Sequence, residues 1–266
     1  MPSPTGPAVS ARPVVVVTGA SRGIGAATAV AVARRGADVI IVARSADGLE
    51  QTAQSARAEG ANVLTVQTDV SSEGAPEDIM QLAQQRFGRL DAVVNNAAIL
   101  EPIAPLADVR TEDLTRMLGV SAVAPLSLTR AALPLLRASM GRVLNVSSSA
   151  ATLPIPGIGA YCVAKAALAM GSRVLAAEEP LVTIVSVQPG PVDTGMHEAL
   201  REGGYGIGAA RRSYYRRLLE DGELVPTEVP AERFAWIALE APREWSGRDI
   251  SHDDGAVTAG LGLSPL

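Results

Sequence analysis

A chain of 266 residues, 47% of them hydrophobic, is long enough to bury the core of one large α/β domain and does not require two. A net charge of −5 lacks the basic bias of a nucleic-acid binder, and a single cysteine, Cys162, excludes an internal disulfide framework. Two histidines beside that cysteine offer no metal-ligand spacing, so no metal is expected.

Residues 1–12 hold three prolines and no apolar h-region. They are expected to form a disordered tail and not a signal peptide, ahead of a single domain over residues 13–266. No run of the sequence reads as a membrane span, so neither membrane nor nucleic acid is a predicted partner, and the expected compartment is the cytoplasm.

Pro13 to Val17 is a β-branched run suited to a strand buried on both faces of a parallel sheet. It ends in Thr18-Gly19-Ala20-Ser21-Arg22-Gly23-Ile24-Gly25, which opens an Ala/Val-rich helical stretch to Arg35, with Gly36 as its stop. Strand, glycine loop and helix in that order suit a pyrophosphate: glycines admit it to the backbone, and the free N–H groups of a helix start face an anion. The spacing, G-x-x-x-G-x-G, departs from the G-x-G-x-x-G dinucleotide fingerprint.

The second strand, Asp38 to Ala43, ends without the acid that dinucleotide folds usually place there for the adenosine ribose. Arg44 follows instead, and Arg22 projects from the glycine loop, so two guanidiniums could clamp a 2′-phosphate and favour NADPH over NADH.

Ala46–Glu59 reads as a helix, Asn62–Gln67 as a strand and Ala75–Phe87 as a helix. Asp69-Val70 sits at a strand's carboxyl end, where ligands of open α/β sheets collect. Asp91–Val94 is the fourth strand and runs into Asn95-Asn96-Ala97-Ala98. Thr111 to about Arg137 is a long helical region with a kink expected at Pro125. Gly141–Val146 is the fifth strand and delivers Ser147-Ser148-Ser149. After a Pro/Gly loop comes the helix bearing Tyr161-Cys162-Val163-Ala164-Lys165. Leu181–Val187 is the sixth strand, ended by Gln188-Pro189-Gly190-Pro191-Val192-Asp193-Thr194. Residues 196–225 loosen into a polar segment with Tyr205, Tyr214 and Tyr215, read as a substrate lobe or lid. Ala231–Leu239 is a last helix and Arg248–Ser251 a last strand.

Lys165 is the only lysine in the chain; the other 22 of its 23 cations are arginine. A sequence so averse to lysine keeps one where a compact, tunable ammonium is needed and a planar fork would not serve. Tyr161 stands four residues before it, on the same face of a helix. Cys162 is one residue off that face and reads as packing.

Five segments taken together, Thr18-Gly19-(x)3-Gly23-x-Gly25, Asn95-Asn96-Ala97-Ala98, Asn145-Val146-Ser147-Ser148, Tyr161-(x)3-Lys165 and Pro189-Gly190-Pro191-Val192-Asp193-Thr194, resemble the successive motifs of the short-chain dehydrogenase/reductase family. The resemblance runs along nearly the whole chain. It implies a single-domain, Rossmann-like, doubly wound parallel sheet of about seven strands with helices on both faces, NAD(P) across the strand ends, and a homodimer or homotetramer packed through two long helices.

It further implies Ser148, Tyr161 and Lys165 as catalytic. Gly19, Ser21, Arg22, Gly23, Ile24, Gly25, Arg44, Asp69, Val70, Asn95, Ala97, Pro189, Gly190, Val192 and Thr194 would bind cofactor together with Tyr161 and Lys165. The family's catalytic asparagine falls here on Ser121, a shorter group without an amide's pair of donors.

The reaction expected is NADPH-dependent reduction of a small-molecule carbonyl to an alcohol. Tyr161 acts as general acid, Ser148 bonds the same oxygen, and the Lys165 ammonium lowers a phenol that ordinarily titrates near ~10. An imine or enoyl reductase on the same scaffold is a third reading. The alternative outside the enzymes is a nucleotide-binding regulatory or scaffolding protein of the same fold with little turnover.

Overall fold

The computed structural model describes residues 9–203 and 206–263. Among them seven strands form one sheet: β1 (Val14–Thr18), β2 (Asp38–Ala43), β3 (Val63–Gln67), β4 (Ala92–Asn95), β5 (Arg142–Val146), β6 (Thr183–Gln188) and β7 (Asp249–Ser251). They lie in the order β3-β2-β1-β4-β5-β6-β7, every neighbouring pair parallel.

Helices alternate with them: α1 (Gly23–Arg34), α2 (Ala46–Ala58), α3 (Ala75–Phe87), α4 (Thr111–Leu118), α5 (Ala124–Ser139), α6 (Gly159–Glu178), α7 (Gly195–Glu202), α8 (Ala209–Glu220), α9 (Glu228–Glu240) and α10 (Gly255–Gly260). The fold is the doubly wound α/β architecture implied by the sequence.

The apolar runs of the central strands serve two cores because successive side chains point to opposite faces. Val15, Val17, Val39 and Ile41 pack with Ala29 and Val32 of α1 and Phe234 of α9. Val14, Val16, Ile40 and Val42 pack with Phe87 of α3 and Leu128 and Leu136 of α5. With only 3% aromatic residues, much of the helix-to-sheet contact is alanine against valine, which brings helices close to the sheet. Strand order reverses between β1 and β4, so the chain leaves these two strands in opposite directions and a crevice opens at their carboxyl ends.

Several elements differ from their sequence reading. Residues 9–12 of the expected disordered tail are pinned, whereas residues 1–8 lie outside the described residues. The Ser10 N–H donates to the Phe87 carbonyl at 2.8 Å and its hydroxyl to Asp38 Oδ2 at 2.9 Å; Arg12 Nε donates to the Gly36 carbonyl at 2.7 Å.

Asp38 is fully buried at the start of β2 and also accepts from the Asn62 N–H at 2.9 Å, so one carboxylate ties the N-terminal segment to the β3 edge. Asp38→Ala leaves those donors without an acceptor. It is expected to destabilise the fold by about 2–3 kcal/mol in urea titration.

The helical region from Thr111 is interrupted just before Pro125. It widens there, in a π-turn over Gly119–Val123 whose register brings the Ala124 N–H to the Gly119 carbonyl. Pro125 has no N–H to give the Ser121 carbonyl in α-helical register, and the extra residue is accommodated one turn upstream.

Among the described residues of 196–225, α7 and α8 are formed and pack on each other. Tyr205 lies outside the described residues. α10, unread in the sequence, begins where the Asp254 side chain accepts from the Ala256 N–H at 2.9 Å. Two helical stretches, Thr111–Ser139 and Gly159–Glu178, do reach the length and apolarity of a membrane span, contrary to the sequence reading. Both are part of the folded core: Leu128 and Leu136 pack against the sheet, Ala164 packs with Leu100, Met117 and Ile158, and Leu168 is buried.

Candidate active site

The chain leaves β1 through a loop that only glycine can trace. Gly19 and Gly23 have φ of +65° and +58°, in the left-handed region, and a Cβ on Gly25 would stand 2.3 Å from the Gly19 carbonyl oxygen. At Gly23 a Cβ would meet only Thr194 Cγ2, at 3.7 Å, so this side of the loop is open space. α1 begins without a side-chain cap, leaving its first N–H groups without a side-chain acceptor. Bare N–H groups beside an open glycine cradle fit the phosphates of a dinucleotide.

The loop is braced from behind: Thr52 Oγ1 donates to the Ala20 carbonyl at 2.8 Å, Asn96 Nδ2 donates to the Thr18 carbonyl at 2.9 Å, and the Ala97 N–H donates to Thr18 Oγ1 at 3.1 Å. Ser21 packs its carbonyl where a Cβ on Gly48 of α2 would clash at 2.5 Å.

Beside the loop, Tyr161 and Lys165 stand one turn apart on α6, both buried. Lys165 Nζ donates to the Val146 carbonyl at 2.6 Å, at the end of β5, and lies 5.6 Å from the centre of the Tyr161 ring. Burial pushes the Lys165 ammonium down to about 8 and the Tyr161 phenol up to about 12, the latter opposed by a hydrogen bond with Ser148. The expected depression of the phenol by the lysine is therefore not what this geometry gives: desolvation raises the phenol, the Ser148 hydrogen bond is what opposes it, and the amine is directed at a backbone carbonyl.

Ser148 Oγ accepts from the Ala150 N–H at 3.2 Å, which orients the hydroxyl. Ser148, Tyr161 and Lys165 share the wall of a cavity of ≈ 450 Å³. Ile24, Pro189, Gly190, Val192 and Thr194 line it on the side of the glycine loop and β6. Leu100, Leu153, Ile155 and Ile158 line it as well, in the loops where the sequence placed substrate, together with α7 and α8. Thr194 also caps α7, its hydroxyl accepting from the His197 N–H at 3.4 Å.

Other residues are placed differently from their reading. Asn95 does not reach the cavity: its Nδ2 donates to Asn145 Oδ1 at 2.8 Å and Thr129 Oγ1 at 3.1 Å, in a buried knot that ties β4 and β5 to α5. As the last residue of β4 it points away from the crevice, and Asn96, the next, turns toward it. Asn96 was missed by the sequence reading, although strand alternation predicts the difference.

Ser121 also stays out of the cavity. It is fully buried in the π-turn, its Oγ accepts from the Ile99 N–H at 3.2 Å, and the hydroxyl points to Met117 Sδ at 3.7 Å. Its side chain supports the segment after β4 and contacts no catalytic group.

Asp69 folds back on its own turn, accepting from the Ser71 N–H at 2.9 Å and the Ser71 hydroxyl at 2.6 Å, and those bonds hold its carboxyl below the usual range. Val70 packs at the edge of the core. Arg44 lies 3.7 Å from Asp69, while Arg22 reaches across the loop to within 3.7 Å of where a Gly195 Cβ would stand. The two guanidiniums are both exposed and each has its own neighbour; no clamp is preassembled.

A family model described as short chain dehydrogenase matches residues 13–204. The chain belongs to the short-chain dehydrogenase family. Members of the family use NAD or NADP. An uncharacterised oxidoreductase of Schizosaccharomyces pombe is 32% identical over 245 residues, covering 91% of this chain and 97% of that one. A benzil reductase, (S)-benzoin forming, of Saccharomyces cerevisiae is 31% identical over 255 residues, covering 91% and 96%. The crystal structure of a short-chain dehydrogenase/reductase from the same yeast is 30% identical with a TM-score of 0.88, covering 93% and 98%. This short-chain dehydrogenase is therefore similar to such proteins over about nine-tenths of its length; α7 lies within the residues that the family model matches and α8 beyond them.

Proposed function

We propose that the chain is an NADPH-dependent carbonyl reductase acting on a small, largely apolar ketone, aldehyde or diketone. The reading is carried by one observation: Ser148, Tyr161 and Lys165 meet in the wall of a single cavity that also borders an open glycine cradle. The benzil reductase relative supports a carbonyl substrate.

Gly19 through Gly25 would hold the pyrophosphate, Asp69 and Val70 the adenine, Ala97, Tyr161 and Lys165 the nicotinamide ribose, and Pro189, Gly190, Val192 and Thr194 the carboxamide. The bound dinucleotide supplies a hydride to the carbonyl carbon. Tyr161 Oη donates its proton to the oxygen as negative charge builds on it, and the Ser148 hydroxyl bonds that same oxygen. Lys165, anchored on Val146, keeps a positive charge behind the phenol. The apolar side chains of α7, α8 and the 153–158 loop exclude water from the reacting oxygen.

The preference for NADPH rests on charge: no carboxylate directly follows β2, and Arg22 and Arg44 are exposed guanidiniums, Arg44 in a 3.7 Å pair with Asp69 that a phosphate could replace. Arg44→Asp is expected to shift the NADPH-to-NADH ratio of kcat/KM toward NADH by about tenfold or more. Steady-state rates with the two dinucleotides at one ionic strength check this.

Self-association through α5 and α6 is supported by Val163, Met170 and Val174, which recur along one exposed stripe of α6 at 41%, 57% and 47% exposure.

The deciding experiment is a panel of aldehydes, ketones and diketones assayed by NADPH oxidation. Consumption with at least one of them supports the reductase. Tight NADPH binding with no consumption across the panel would instead make the chain a nucleotide-binding regulator.

A further inference from the structure

α7 carries a histidine that the reaction above does not use. His197 is 7% exposed and lies in the wall of the same cavity as Ser148 and Tyr161. Arg201, one turn on, places Nη1 3.2 Å from His197 Nδ1. A guanidinium has only donors, so Nδ1 must accept, and the ring proton therefore sits on Nε2. The Tyr215 ring meets the imidazole edge-on at 5.5 Å between centres, which fixes the ring's orientation.

Burial, and then the charge of Arg201, push His197 below its ordinary range, with Asp193 acting weakly the other way. The ring is neutral at pH 7, with one committed acceptor and one free donor. None of the described residues accepts from that donor, and Met196, Leu200 and Leu218, which line the cavity with it, offer no acceptor oxygen on their side chains. Unlike His252 Nδ1, which is fully buried without a partner, His197 Nε2 is not sealed off from the cavity, so an occupant carrying an oxygen can reach it. Ser148 and Tyr161 already serve one substrate oxygen, so a second oxygen is what this donor can recognise.

We propose that His197 Nε2–H hydrogen-bonds a second carbonyl oxygen of the substrate and makes the enzyme selective for dicarbonyl compounds over simple ketones. The inference rests on the reductase reading for the first oxygen, but binding alone can test it.

The chain has only two histidines, so imidazole ¹⁵N resonances of the protein with oxidised dinucleotide are readily assigned. His197 is expected to show the Nε2–H tautomer, and its Nε2 signal to move with 1-phenyl-1,2-propanedione but not with propiophenone, which lacks the second oxygen. In turnover with NADPH, His197→Phe keeps an aromatic ring against Tyr215 but no donor. It is expected to lower the dione-to-propiophenone ratio of kcat/KM about tenfold or more, chiefly through KM, and His197→Gln, with an amide donor, to restore part of it.

An Nδ1–H tautomer, equal shifts with both ligands, or a ratio that His197→Phe leaves unaltered would each overturn the proposal. Absence of turnover with both compounds would count against the reductase and leave the resonance shifts to decide on His197. Those shifts come from the unaltered protein, so a variant that fails to fold does not remove the test.

Discussion

Tyr161→Phe is expected to lower kcat for carbonyl reduction by about 10²–10⁴-fold, the range that a positioned proton donor contributes. The phenyl ring fills the same space in the α6 wall, so the fold and dinucleotide affinity should hold; single-turnover rates and a dinucleotide titration by fluorescence separate the two. An undiminished rate would remove Tyr161 from the chemistry.

The same group biases direction. Burial holds the phenol at about 12, so at pH 7 it keeps its proton and is ready to give it to an alkoxide, a much stronger base than phenolate. Alcohol oxidation needs the phenolate as base. It is therefore expected to speed up as pH rises from 7 toward 10, while reduction stays nearly level through the neutral range, in the same rate measurements.

Much of this site was legible before the structure because it depends on local patterns. A β-branched run ending in glycines marks β1 and its loop, and Tyr161 and Lys165 need only helical spacing to share a face. What was not legible depends on which way a side chain turns once the strands and helices are packed. Asn95 and Asn96 are identical in the sequence, yet strand alternation sends one into a buried knot with Asn145 and the other to brace the glycine loop.

Ser121 carries no sign of its partner, because the Ile99 N–H that it bonds lies 22 residues away and the π-turn that presents it has no simple pattern. α8 was hidden by its composition: its arginines and tyrosines show no apolar stripe, and only Tyr215 and Leu218 are buried in it. His197 looked like an unremarkable polar residue until Arg201, one helical turn along, committed its Nδ1.

Lys165→Met should separate what this residue does for the fold from what it does for the reaction. Burial lowers the folded-state value from 10.5 to about 8, so between those limits the unfolded chain binds more protons than the folded one. Raising pH through that window therefore stabilises the wild type relative to its unfolded state, by about 3 kcal/mol in all. Methionine does not titrate. The stability of the variant minus that of the wild type is accordingly expected to be most positive at pH 7 and to fall by about 3 kcal/mol by pH 10.5.

The donor lost to the Val146 carbonyl offsets the difference by a constant, and the titration of Tyr161, present in both proteins, cancels to first order. Urea titrations at several pH values read the slope directly; a flat difference would mean that Nζ is hydrated and its burial is not real.

At pH 7, where Lys165 is still charged, the variant should have lost kcat by about 10²-fold or more, because the phenol is left without a cation behind it. Lys165→Arg is not expected to rescue it. Nζ reaches a single carbonyl at 2.6 Å in a packed wall, and a planar fork brings several donors where only one acceptor waits. A chain that uses arginine at every other cationic position keeps its lysine where a small, titratable charge must be held in a space with little water, at a cost to stability.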